Sequence, residues 1–185
     1  MSRSGGLDPR PVRAALLIHQ EGALAVIALI GLHFTSGGIA GGLIARGSWT
    51  SSVAAGVGCG AVCVAVLWSL RKIPPLRRLE AWQRGIVRGW TTTDAVCVAV
   101  LSGIAEEALL RALLQPLIGL VPAAVLFAIL HVVPDRRLWL WPVFALGSGL
   151  ALGLLFDEFG YPAAAAAHVV INGVALLRLR DEGGR

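Results

Sequence analysis

The chain has 185 residues, of which 56% are hydrophobic and only 15% charged, and its mean hydropathy is +0.75. Soluble domains carry about 25% charged residues, so the composition excludes a soluble globular domain and leaves no room for one beside a membrane-embedded unit. The net charge of +5 does not mark a nucleic-acid binder, because the basic residues cluster in short segments between apolar runs, where they report topology.

Residues 1–13 are polar and lack the apolar core and small-residue cleavage site of a signal peptide. They are expected to form a cytoplasmic N-terminal segment ahead of a single transmembrane domain over 14–185. The first apolar run covers 12–34. His19, Gln20 and Glu21 fall in its early turns and are expected near an interface, with His33 deeper and facing neighbouring helices. Glycines at 37, 38, 41 and 42 either let helices approach closely or mark the end of the first helix. The second span covers 53–70. Cys59 and Cys63 lie one turn apart on it and, with Cys97, are read as small apolar packing residues.

Pro74 and Pro75 end that helix. The connector that follows, to Trp90, alternates Leu, Trp and Ile with Arg, as a surface-lying amphipathic segment does, with Trp82 and Trp90 as interface anchors. Thr91 or Asp94 can cap the next helix, whose span runs over 94–118. The fourth, 123–133, is short for a crossing and is expected to tilt or stop below the surface. The fifth covers 139–156 and the sixth 162–179. The fold class is thus all-α, a polytopic membrane bundle of about six helices. On this topology fourteen Lys and Arg lie on one side against Arg46 alone on the other, which predicts both termini in the cytoplasm.

The third span carries Glu106, Glu107 and Arg111 in an otherwise apolar run. Ionised groups at that depth cost several kcal/mol unless paired or put to use. On a helix Glu107 and Arg111 face each other at four residues, favouring an ion pair, and Glu106 points about 100° away. Phe127 precedes His131 by four residues, and His168 precedes Asn172 by four. At a rise of ~1.5 Å per residue, Glu106, His131 and His168 fall within about 6 Å of one depth, which permits a shared site near the midplane.

The ordered motifs Glu106-Glu107-x-x-x-Arg111, Phe127-x-x-x-His131 and His168-x-x-x-Asn172 resemble those of the CPBP intramembrane proteases, which include the CAAX prenyl proteases and bacterial relatives linked to bacteriocin processing and self-immunity. The resemblance covers about 94–179. It implies an endopeptidase in which Glu106 is the general base and, with His131, activates a water, while His168 and Asn172 stabilise the oxyanion. Glu107, Arg111 and Phe127 are supporting residues. A carboxylate held out of water is a fitting base. No cofactor is favoured. A zinc held by Glu106, His131 and His168 is the metal-dependent alternative, although the HExxH pattern is missing.

Rival readings are a non-catalytic membrane scaffold or immunity protein and a rhomboid-type serine protease using Gly147-Ser148-Gly149. The second lacks the glycine at position 146, which is Leu, and leaves the glutamates unexplained. A transporter is weaker still, since no inverted repeat is visible. The expected partners are a peptide or lipopeptide substrate and the lipid bilayer, with no nucleic acid. The Ala, Arg and Gly bias with a single lysine points to a bacterial plasma membrane protein.

Overall fold

The computed structural model describes residues 9–35 and 37–183, which are helical apart from turns and one isolated bridge between Ala45 and Gly160. The N-terminal segment assigned to 1–13 therefore lies outside the described residues as far as residue 8. In chain order the helices are α1 (Ala14–His33), α2 (Gly38–Gly42), α3 (Trp49–Leu70), α4 (Pro74–Ile86) and α5 (Thr92–Glu107). Helix α5 runs on without a break through a π-helical stretch, Ala108–Leu114, into α6 (Gln115–Ile118). Then come α7 (Leu120–Leu130), a 3-10 turn (Arg136–Leu138), α8 (Leu140–Phe159) and α9 (Tyr161–Gly183).

Local chemistry sets the boundaries. Ser48 caps α3 by accepting from the Ser51 N–H. Thr91 and Asp94 form a reciprocal capping box that starts α5. Pro74 and Pro75 fill the first turn of α4, where the missing N–H groups cost nothing. Gly119 (φ 90°) and Gly160 (φ 84°) make the sharp turns into α7 and α9 in a left-handed conformation that suits glycine.

Among the described residues four stretches are long and apolar enough to cross a membrane: Ala14–His33, Trp49–Leu70, Arg136–Phe159 and Tyr161–Glu182. The two other expected spans differ from these. The rod over 92–118 is about 40 Å long, but it carries Asp94, Glu106, Glu107 and Arg111. Helix α7 has 11 residues, about 16 Å, or half of a ~30 Å hydrocarbon core.

Helix α9 is the centre, packing against α3, α4, α5 and α8. Its early turns are a run of alanines, of which Ala163, Ala164 and Ala167 are fully buried. Glycines on α3 let that helix come close: a Cβ on Gly60 would stand 2.8 Å from the Ala167 carbonyl oxygen and 2.9 Å from Val170 Cβ, and one on Gly56 would collide with the Ala163 carbonyl. Small residues thus bring helices together, at Gly56 and Gly60. Of the glycines at 37–42, Gly42 folds α2 back against Leu32, so that group marks the end of the first helix.

The basic segments gather at one end of the bundle. Val12 N–H donates to the Ile86 carbonyl and Trp90 Nε1 to the Val12 carbonyl. Arg84 pairs with Glu182 at 2.6 Å and Arg178 with Glu80 at 3.2 Å, and Leu138 packs on Leu76 and Leu79. At the opposite end the 43–48 loop meets the α8–α9 turn, where Arg46 N–H donates to the Phe159 carbonyl. Trp90, read as an interface anchor, is instead buried, because its indole N–H is spent on the chain entering α1.

Gly60→Ala should lower stability by about 1–3 kcal/mol through overpacking. Gly58→Ala, on a face with nothing within 4 Å of the added carbon, should be neutral or stabilising. Thermal unfolding in detergent reads both, and equal behaviour of the two variants would contradict the close α3–α9 contact.

Candidate active site

The site is built around Glu107, the last residue of α5 before the helix widens. Its carboxylate is fully buried and bridges two cation-forming groups. Oε2 accepts from Arg111 Nε at 3.0 Å, and Oε1 pairs with His168 Nδ1 at 2.8 Å, the nitrogen that then carries the proton. The ion pair expected from four-residue spacing is present, although the helix changes type between its partners. The π-helical turn was not foreseen. Such turns are frequent at functional sites, and here Arg111 lies at the middle of one. The guanidinium is fully buried, with Cζ 5.4 Å from the Phe127 ring centroid, a cation–π contact in a desolvated setting.

Phe127 joins the parts of the site. Its ring stands edge-on to His131 at 4.4 Å and to His168 at 5.8 Å between centroids. His131 caps the C-terminus of α7, its Nδ1 2.8 Å from the Phe127 carbonyl, a contact that ties the ring to its own helix. The imidazole also meets Trp141 edge-on at 5.7 Å. One turn along α9 from His168, Asn172 Nδ2 donates to Ser102 Oγ at 2.9 Å. The motif residues of the three helices are thus brought together.

Glu106 stands beside this cluster, within electrostatic reach of His168, His131, Glu107 and Arg111. Its Oε2 is buried and has no hydrogen-bond partner among the described residues. A groove of about 410 Å³ between α3, α4, α7, α8 and α9 opens onto the cluster. His131, His168 and Asn172 line its inner part, Val66, Leu79 and Phe144 are among its apolar walls, and Glu80 and Arg178 stand towards the basic end. Glu106 is not among its lining residues.

Four residues escaped the sequence reading or were misplaced by it. Glu21, expected near an interface, is only 5% exposed and lies within electrostatic reach of Glu106 and His168. The signal was there: Ala14, Glu21 and Ala28 recur every seven residues and are all buried on the inner face of α1, while His19 and Gln20 are exposed. His33, expected to face its neighbours, is exposed, because it lies one residue past the buried Leu32. Trp141, at the entry of the fifth expected span, packs on His131. Ser102 was not singled out.

Cys59, Cys63 and Cys97 are free thiols. Among the described residues no three His, Cys, Asp or Glu side chains are grouped closely enough to hold a metal ion, so Glu106, His131 and His168 are not gathered as a zinc ligand set in this arrangement. Ser148 Oγ donates to the Phe144 carbonyl of its own helix at 2.8 Å, and Gly149 lies against Phe127 and Ala124, as close packing requires.

Comparison with protein families falls on this same segment. A family model described as type II CAAX prenyl endopeptidase Rce1-like matches residues 88–174. Over this segment the chain is similar to that family. The Rce1-like segment contains all seven motif residues, from Glu106 to Asn172. No curated protein and no solved structure matches the chain. Glu21 lies outside the Rce1-like segment.

Arg111→Met should destabilise the protein by about 3–5 kcal/mol, because it leaves a buried carboxylate short of a partner. Adding Glu107→Gln should recover part of that loss in detergent thermal unfolding. Equal losses in the single and double variants would contradict a charged pair at this position.

Proposed function

We propose that the chain is an intramembrane endopeptidase that hydrolyses membrane-associated or lipid-modified peptides by a glutamate mechanism. The observation that carries this is the junction of the buried Arg111–Glu107–His168 chain with an apolar groove lined by His131, His168 and Asn172. Polar groups converging at the inner end of an apolar cleft are what a site for a membrane-borne peptide needs.

In this reading Glu106, with His131, takes a proton from a water as its oxygen attacks the scissile carbonyl carbon. The tetrahedral oxyanion receives hydrogen bonds from His168 and Asn172. The C–N bond then breaks, and the proton held by Glu106 passes to the leaving amine. Because His168 Nδ1–H is given to Glu107, Nε2 can donate only from a ring that carries both protons, and the Glu107 carboxylate balances that charge. Arg111 in turn holds Glu107 in place, and Phe127 spaces the two imidazoles.

The gathering of basic segments at one bundle end supports an orientation with both termini on the cytoplasmic side of a bacterial plasma membrane. Six membrane segments are then counted, with the 92–118 rod and the half-length α7 inside the bundle. The groove, walled by Val66, Leu79 and Phe144, suits an apolar substrate chain.

The test is cleavage of a quenched fluorescent lipopeptide library by detergent-purified protein. Glu106→Ala and His131→Ala should each lower kcat/KM by about 10²–10⁴-fold, with wild-type activity unchanged by a strong chelator. Loss on chelation that zinc restores would reassign these residues to a metal. A substrate cut equally by all three proteins would contradict the site.

A further inference from the structure

We propose that Ser102 is the positioning residue of Asn172, fixing which edge of its amide faces the groove. This rests on the protease reading above, since it concerns the group that meets the oxyanion there.

The contact depends on how closely α5 and α9 approach. At Gly103 an added Cβ would stand 2.6 Å from Val169 Cγ2 and 2.8 Å from the Val169 backbone nitrogen, so only glycine permits the crossing. That approach brings the neighbouring Ser102 up to Asn172. Ser102 is 4% exposed, and its hydroxyl donates to the Ala99 carbonyl one turn back at 3.3 Å. With its proton so placed, Oγ presents a lone pair to α9, and Asn172 Nδ2 donates to it at 2.9 Å.

An asparagine amide has two donors on one side and an acceptor on the other, and its orientation is set by its partners. Here one N–H is committed to Ser102. Flipping the amide would set Oδ1 against the Ser102 oxygen, and Ser102 could receive it only by giving up the Ala99 carbonyl. The chain from Ala99 through Ser102 to Asn172 therefore holds the NH₂ group in one place and leaves its second N–H as the donor available at the groove, which Asn172 lines. A donor held in advance where negative charge develops needs no reorganisation during reaction. Ser102 itself does not line the groove, so it acts through Asn172.

The experiment is steady-state kinetics of Ser102→Ala, Ser102→Thr, Asn172→Ala and the double variant Ser102→Ala/Asn172→Ala on a substrate that wild type cleaves. Detergent thermal unfolding confirms that each is folded. Asn172→Ala should lower kcat by about 10²–10³-fold. Ser102→Ala should lower kcat about tenfold with KM unchanged, and Ser102→Thr, which keeps the hydroxyl, should restore it to within about threefold; both figures sit below the full loss of a donor. The double variant should be no slower than Asn172→Ala alone, since a residue acting only through another has nothing left to position. Wild-type kcat in Ser102→Ala, or losses that multiply in the double variant, would overturn the proposal while leaving the protease reading intact. Full activity in Asn172→Ala would overturn the oxyanion assignment and this inference with it.

Discussion

The site depends on one buried carboxylate. Glu107 has no exposed surface and would be prohibitively costly as a lone anion in a hydrocarbon core. It is tolerated because each oxygen meets a donor, Arg111 on its own rod and His168 from α9. The second contact turns a local pair into a tertiary one. It fixes the relation of α5 to α9 and the ring plane of His168, so the same interaction that makes the charge bearable also orients the imidazole. Glu106, one residue earlier, is left with an Oε2 that has no hydrogen-bond partner among the described residues.

Close packing makes that geometry possible. Gly56 and Gly60 admit α3 to one side of α9, and Gly103 admits α5 to the other. A helix with alanines over its early turns can be approached from two sides at backbone range, and polar side chains as short as serine and asparagine then reach across. Bulkier residues at those positions would push the helices apart and separate Ser102 from Asn172. The groove arises where packing is deliberately incomplete, between α3, α4 and α8, and it leads from the basic end towards the two histidines.

Much of this was legible in the residues themselves. Four-residue spacings named Glu107 with Arg111, Phe127 with His131 and His168 with Asn172, and each pair does share a helix face or a contact. Hydropathy located the four helices long and apolar enough to cross a membrane to within a few residues, and Thr91 with Asp94 announced a helix start. Features set by tertiary packing were not readable. A π-helical turn at 108–114 leaves no mark in an Ala and Leu run. Trp141 has the same look whether it faces headgroups or a histidine. Glu21 was legible only through its seven-residue rhythm with Ala14 and Ala28, and Ser102 only once α9 was known to cross at Gly103. The length of α7 follows from Gly119 and from His131 closing the helix, which hydropathy alone extends to residue 133.

The most direct measurement is the ¹⁵N spectrum of His168 in detergent-solubilised protein, assigned through a His168→Gln variant. If Glu107 organises the site, Nδ1 carries a proton in a strong hydrogen bond to a carboxylate, and its resonance moves in Glu107→Gln protein that remains folded. A proton on Nε2 alone, with Nδ1 bare and insensitive to Glu107→Gln, would contradict the arrangement on which the rest depends.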